Sequence, residues 1–284
     1  MSDNLVLTAD IGGTHITSAI VDISTWQILE ATISRSHVNS KSDAKSILLS
    51  WKDCLTDSLQ KTEHVISHLG IAMPGPFDYE KGISLMLNQD KYDALYQLNI
   101  QEALQEVLDY KTEIRFINDA AAFLQGEVFA GDLNQRAVML GITLGTGLGS
   151  AVWKRGQKAF DADLWNSPYN DTIFEEYLVT RWLTKRFEEL SGISEKGFKD
   201  IIEKHRQTKA FDILLTEYAK SLYDFLCFFS EKHQCHSFIL GGSIAKAWPI
   251  IESYNASDFR AFEIWTGQYA EKAAMMGAAS LFRS

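Results

Sequence analysis

The sequence predicts an α/β protein made of two related halves. Three observations carry that prediction. Apolar runs of strand length alternate with stretches of helical spacing along the chain. A strand, a Gly/Thr turn and a second strand occur twice: Ile11-Gly12-Gly13-Thr14 is followed by Ser18-Ala19-Ile20-Val21, and Leu144-Gly145-Thr146-Gly147 by Ser150-Ala151-Val152-Trp153. The length, 284 residues, suits one large domain or two modest ones, and 46% hydrophobic residues suffice for a real core.

The first half opens with three predicted strands in a meander, Leu5–Ile11, Ile16–Ile23 and Trp26–Ser34. Apolar residues at 44, 47, 48, 51, 55 and 59 predict a helix over Lys41–Lys61. Val65–Met73 reads as a strand that ends in Pro74-Gly75-Pro76, a rigid turn that serves as a plain strand exit or as a pocket rim. A hairpin or loop over Phe77–Asp90, a helix over Leu98–Leu108 and a buried strand over Glu113–Ile117 follow. Asn118-Asp119 then precedes a strong helix former, so Asp119 reads as a helix N-cap or as a carboxylate at the C-terminal end of a buried strand, where α/β folds place chemistry.

In the second half, Ala137–Thr143 leads into the second glycine turn. Gln157–Tyr169 is a loop with Asp161, Asp163, Trp165 and Asn166, a set suited either to solvent or to polyol recognition. From Thr172 the spacing of Ile173, Tyr177, Leu178, Leu183 and Phe187 predicts a helix with Glu175 and Glu176 in its first turn. Helices over Glu195–His205 and Thr208–Lys232 precede a short strand, Ser237–Leu240. Gly241-Gly242-Ser243 then opens a helix, a junction at which a phosphate or nucleoside can approach backbone. A strand over Phe259–Trp265 and a small-residue helix over Tyr269–Phe282 complete the chain.

Composition excludes some classes. A net charge of −10 without a Lys/Arg-rich block argues against nucleic acid or an anionic membrane as partner. The polar start Met1-Ser2-Asp3-Asn4 is no signal peptide, and apolar runs are too short to span a bilayer. Cys54, Cys227 and Cys235 match no zinc spacing; a reduced, cytoplasmic protein is expected. Gly145–Gly149 is not a dinucleotide fingerprint, because a strand follows it, and no Walker lysine occurs.

The first glycine turn alone reads equally as a hairpin or as an anion site whose N–H groups and Thr14 hydroxyl face a phosphate, with Mg²⁺ between the phosphate and Asp10. Paired glycines are expected there for a backbone with φ > 0. The matching turn at 144–147 tips the balance towards two phosphate turns facing one another across a cleft.

Asp10-Ile-Gly-Gly-Thr14, Pro74-Gly-Pro76, Asn118-Asp119, Leu144-Gly-Thr-Gly147 and Gly241-Gly242-Ser243, in this order, resemble the ROK family of sugar kinases and repressors, within the actin/hexokinase/Hsp70 superfamily. The resemblance implies a two-domain actin-like ATPase (ribonuclease H-like) fold with the active-site cleft between the domains. The first domain would span 1–117, the second 118–269, and the helix over 270–284 would pack back on the first. It implies ATP-dependent transfer of a phosphoryl group to a hexose hydroxyl, with glucose or a related aldohexose at O6 as the first expectation and an N-acetylhexosamine or fructose as the alternative. Asp119 would be the general base. Asp10 would govern Mg²⁺ through water; Gly12, Gly13, Thr14, Gly145, Thr146 and Gly147 would hold phosphate; Gly241 and Gly242 would lie by the adenosine. Gly75, Asn88, Asn118, Asp163, Asn166 and Glu175 would meet the sugar, with Lys91 or Tyr92 as alternatives to Asn88. The family's Glu-x-Gly-His is replaced here by Asp163-Leu164-Trp165-Asn166, and its zinc cysteines are missing, so no structural zinc is expected. A homodimer is implied by the resemblance only. A sugar-sensing repressor would carry an N-terminal helix-turn-helix, for which this sequence leaves no room before Asp10; a sugar-binding module without catalysis is the remaining class.

Overall fold

Leu5–Ile11 (β1) and His15–Asp22 (β2), each with a run of four consecutive buried residues as in strands covered on both faces, make a hairpin in full antiparallel register, from Leu5 opposite Asp22 to Ile11 opposite Ile16. The computed structural model describes residues 4–89, 91–108 and 112–283. Met1–Asp3 and Asp90, considered above, lie outside the described residues.

The third strand of the meander is broken. Gln27–Ile28 (β3) and Ser34–His37 (β4) both pair with β2, and a 3₁₀ turn at Glu30–Thr32 separates them. Thr32 causes the break: its hydroxyl donates to the Leu29 carbonyl at 2.7 Å and accepts from the Ile20 N–H at 2.9 Å, which satisfies the sheet edge with a side chain. Helix α1 (Ala44–Gln60) starts at Asp43, whose carboxylate caps the Ser46 N–H. Then come His68–Met73 (β5), a small hairpin of Phe77–Asp78 (β6) and Ile83–Ser84 (β7), helix α2 (Ile100–Val107), Glu113–Asn118 (β8) and helix α3 (Asp119–Ala130). The sheet order is β3-β2-β1-β5-β8, with β4 also on β2, and β1, β5 and β8 run parallel.

The second unit repeats this plan. Val138–Leu144 (β9) and Leu148–Lys154 (β10) form a hairpin from Val138 opposite Lys154 to Leu144 opposite Leu148. Short strands Phe160–Asp161 (β11), Pro168–Tyr169 (β12) and Thr172–Ile173 (β13) follow, then helices Glu175–Leu178 (α4), Thr180–Ser191 (α5), Phe198–His205 (α6) and Lys209–His233 (α7). Ser237–Gly241 (β14), Gly242–Ala245 (α8), Trp248–Ser253 (α9), Ala256–Phe259 (α10) and Glu263–Thr266 (β15) complete it. The sheet order is β11-β10-β9-β14-β15, with β9, β14 and β15 parallel. Of the strand expected over 259–265 only 263–265 is strand; Phe259 ends α10, and 260–262 form a turn. The aromatic stripe of α7, including Phe211, Tyr218, Phe225 and Phe229, is fully buried in this unit's core.

The final helix, α11 (Glu271–Ala279), belongs to the first unit, which takes in the chain up to Gln135, Arg155–Phe160 and the chain from Glu271. The first unit therefore extends past residue 117 through α3. The reason is close backbone packing: a Cβ on Gly126 of α3 would lie 1.9 Å from the Ala273 carbonyl, and one on Gly277 1.9 Å from the Ala122 carbonyl. Glycine at both positions lets α3 and α11 touch backbone to backbone, a contact any side chain would hold apart. The second unit comprises Arg136–Lys154 and Asp161–Ala270. Among the described residues no helix is long and apolar enough to cross a membrane.

Candidate active site

In the first unit, the C-terminal ends of β1, β5 and β8 lie side by side. Asp10 pairs with Ala72, Ala72 with Ile117, and Met73 with Asn118. Two strand spacings put Asp10 and Asn118 about 10 Å apart along one sheet edge. Asn118 is the N-cap of α3: its Oδ1 accepts from the Ala121 N–H at 3.0 Å, and its Nδ2 donates to the Tyr79 hydroxyl at 3.2 Å. The cap is therefore Asn118 and not Asp119. Asp119 occupies the first helical position, exposed, with one carboxylate oxygen on the neighbouring Ala120 N–H at 2.8 Å. Its carboxylate is left at the sheet edge, open to a ligand.

Asp10 is half-buried, and its carboxyl is pushed up to about 7. Burial is the main cause; the negative charges of Asp119 and Glu271 add to it, and Arg35 opposes it. A carboxylate whose ionisation is this unfavourable fits a site completed by a cation. Among the described residues no three His, Cys, Asp or Glu groups converge on one point. A Mg²⁺ held by Asp10 through its water shell suits that donor set, since Mg²⁺ commonly keeps several waters.

The Gly12–Thr14 turn closes through the Gly12 N–H on the His15 carbonyl at 2.9 Å. Neither Gly12 nor Gly13 has a positive φ, contrary to the expectation. What the glycines provide is open space: a Cβ on Gly12 would meet nothing nearer than the His15 carbonyl at 3.6 Å. The Thr14 hydroxyl is hydrogen-bonded to His15 Nδ1 at 2.9 Å. Tyr92 is fully buried, and its hydroxyl donates to the Gly12 carbonyl at 2.6 Å, so it buttresses the turn. Gly75 follows β5 beside Tyr79, whose hydroxyl donates to the Met73 carbonyl at 3.0 Å. Asn88 is exposed, with φ 57°, and its side chain makes no hydrogen bond among the described residues.

In the second unit, the Gly145 N–H closes the matching turn on the Gly147 carbonyl at 3.2 Å. Gly242 has φ 87°, and a Cβ there would lie 2.2 Å from the Leu144 carbonyl. Only glycine fits, and it seats Gly241–Ser243 against the end of β9; a Cβ on Gly145 would come within 3.7 Å of the Ser243 hydroxyl oxygen. Glu175 also belongs to this turn, where its carboxylate accepts from the Leu148 N–H at 2.9 Å. The single helix expected from Thr172 is broken at Val179, because the Thr180 N–H and hydroxyl both donate to the Gly145 carbonyl, at 2.8 and 3.0 Å. The Glu175 N–H donates to the Trp165 carbonyl at 3.1 Å, which brings the 163–166 loop to the same place. In that loop Asp163 accepts from the Trp165 indole N–H at 2.8 Å, and Asn166 is exposed.

Residues 6–160 match the model of the ROK family. The chain belongs to the ROK family. Among proteins of curated function no sequence matches it. Solved ROK structures share its fold throughout. The glucokinase of Streptomyces griseus, solved with glucose and AMPPNP, aligns at TM-score 0.76 and 20% identity over 98% of each chain. The glucokinase of Parabacteroides distasonis ATCC 8503 aligns at TM-score 0.77 and 18% identity over 99% of each chain. A ROK transcriptional regulator homologous to the E. coli MLC protein aligns at TM-score 0.81 and 14% identity, over 98% of this chain and 78% of its own. The fold is common to kinases and a regulator, so the activity of this ROK protein has to be argued from its site.

Sequence reasoning missed three residues that build this ROK site. Tyr79 links Asn118 to the end of β5, Thr180 anchors the second turn, and Arg181 donates to the Thr146 carbonyl and to Glu175, both at 3.4 Å. Each acts on a partner far away in sequence, so no local pattern reveals it.

Proposed function

We propose that this ROK protein is an ATP-dependent hexose kinase, with glucose or a related aldohexose as acceptor at O6. One observation carries the reading: Asn118 takes the cap of α3 and leaves the Asp119 carboxylate exposed at the sheet edge that also holds Asp10. A repressor that only binds sugar has no use for a free base beside a metal-type carboxylate.

In this mechanism Asp119 accepts the proton of the sugar hydroxyl as that oxygen attacks phosphorus. Gly12, Gly13 and Thr14 donate to the phosphoryl oxygens, and Gly145, Thr146 and Gly147 hold the remaining phosphates, so that positioning and charge neutralisation supply most of the catalysis. Mg²⁺, when bound at Asp10, neutralises phosphate charge. Gly241 and Gly242 admit the adenosine to backbone. Asn118 positions Asp119, and Gly75, Asn88, Asp163, Asn166 and Glu175 meet the sugar. The replacement of Glu-x-Gly-His by Asp163–Asn166 makes the acceptor the variable part, and an N-acetylhexosamine or fructose is the alternative.

The test is ADP release with MgATP over glucose, mannose, fructose, N-acetylglucosamine and N-acetylmannosamine. Turnover of glucose above the others is expected. Sugar binding with no turnover on any of them would make the protein a sugar sensor and refute the kinase reading.

A further inference from the structure

Lys91 is a half-buried cation beside the first glycine turn, and the mechanism above does not use it. Its Cδ lies 3.8 Å from the position a Cβ on Gly13 would take. The segment is fixed there from both sides: the Tyr92 hydroxyl donates to the Gly12 carbonyl at 2.6 Å, and the Tyr92 N–H to the Ser40 carbonyl at 2.7 Å. The Tyr92 ring packs edge-on against Trp51 with centroids 5.5 Å apart, so the lysine stem rests on a rigid base. Three other lysines of this unit have acidic partners: Lys61 has Asp57 at 2.8 Å, Lys81 has Asp78 at 3.5 Å and Lys158 has Glu80 at 2.9 Å; Lys45 has none among the described residues but is exposed, whereas Lys91 is half-buried. Lys91 has no carboxylate partner among the described residues. A cation that gives up part of its hydration without a protein anion in return suits a site whose anion is a ligand.

We propose that Lys91 contacts the transferring phosphoryl group at the Gly12–Thr14 turn. The proposal rests on the kinase reading and deepens it. As the sugar oxygen forms its bond to phosphorus, the bond to the bridging oxygen of ADP breaks, the hydroxyl proton passes to Asp119, and negative charge spreads over the three oxygens of the moving group. The Lys91 ammonium stabilises that charge. It supplies a positive charge where the turn supplies only neutral N–H donors, and where Asp10 and Asp119 make the surroundings negative. Lys91 is thereby a phosphoryl contact rather than a sugar contact.

The experiment compares Lys91→Met and Lys91→Arg with the wild-type chain, after thermal melts establish that both variants fold. Lys91→Met keeps the stem and removes the charge. It is expected to lower kcat by about 10²- to 10³-fold with the sugar KM within about threefold, while Lys91→Arg keeps at least about a tenth of kcat because it retains the charge. Binding of MgAMPPNP and MgADP is measured alongside. Lys91→Met should weaken MgAMPPNP by about tenfold or more, the worth of a charge-assisted hydrogen bond, and leave MgADP within about twofold. Equal weakening of both nucleotides, a kcat within about threefold of wild type, equal losses in Met and Arg, or a raised sugar KM at unchanged kcat would each overturn the assignment. If the wild type turns over no sugar yet the AMPPNP-specific loss is seen, the Lys91 contact stands and the kinase reading falls.

Discussion

Replacing Asp10 by Asn isolates the energetic consequence of putting an acid in this position. A free Asp ionises near 3.8, whereas in the folded protein burial and the neighbouring Asp119 and Glu271 charges push Asp10 up to about 7. Between these values the unfolded chain has released the proton and the folded chain still holds it. Stability therefore falls as pH rises through the window from 3.8 to about 7, which is the reverse of the behaviour of a salt-bridged Asp. At 1.36 kcal/mol per pK unit the full cost above that window is at most about 4 kcal/mol, and water reaching part of the side chain brings it to about 2 to 4 kcal/mol. Of this, about 1 to 2.5 kcal/mol falls between pH 5 and pH 8. Urea unfolding in EDTA at the two pH values measures it. Asp10→Asn should gain about 1 to 2.5 kcal/mol on the wild type between pH 5 and pH 8. Adding Mg²⁺ at pH 8 should stabilise the wild type and leave the Asn variant unmoved. A difference between variant and wild type that is the same at both pH values would refute the reasoning, because Asp10 would then ionise as an ordinary carboxylate.

The other predictions concern the base and the second turn. Asp119→Asn removes the proton acceptor and keeps the side chain's size, so kcat should fall by about 10²- to 10⁴-fold while sugar binding, measured by calorimetry, stays within about threefold; near-normal turnover would take the base role from Asp119. Gly242→Ala puts a Cβ at 2.2 Å from the Leu144 carbonyl with φ at 87°, and strain plus the forced backbone shift should cost about 2 to 5 kcal/mol in urea unfolding. Gly156→Ala is the control: φ is 79° but nothing lies within 4 Å of the new methyl, so about 1 kcal/mol is expected. Equal losses at the two glycines would show that the close approach to β9 contributes nothing.

The repeated hairpin was legible from sequence because its determinants are local: short, nearly continuous buried runs mark the strands, and glycines mark the turn. The parallel partners agree in the two units, Asp10 opposite Ala72 and Thr143 opposite Gly241, while the second hairpin turn is one residue shorter: Ile11 pairs with Ile16, and Leu144 with Leu148. The role of Asn118 against Asp119 was not legible. Both residues are good N-caps, and the choice between them depends on Tyr79, about forty residues earlier, which holds the Asn118 amide in place. The break at Val179 was hidden for the same reason. The apolar stripe runs through it without a local stop signal, and its cause is the carbonyl of Gly145, 35 residues away. The third strand failed because a hydroxyl on Thr32 competes for sheet hydrogen bonds, which period-two patterning does not register.

The repeat also separates what the two turns are for. Asp10 stands one residue before Ile11 at the tip of the first hairpin; the matching position before Leu144 is Thr143. The third parallel strand of the first unit runs on into Asn118 and Asp119, whereas that of the second ends at Thr266. The first unit thus carries carboxylates at two strand ends where the second carries hydroxyls. The only carboxylate described at the second turn is that of Glu175, and it is drawn off by the Leu148 N–H and the Arg181 guanidinium. A neutral turn holds anionic phosphate with N–H donors alone, whereas a turn flanked by two acids repels it until a cation intervenes. In the proposed kinase reading, one backbone plan would therefore yield one turn that binds phosphate outright and one that binds it only with charge compensation, the compensated turn being the one beside the proposed base Asp119. On that proposal, confining the charge requirement to the reacting phosphoryl group would make Asp10 costly to the empty protein and useful to the loaded one.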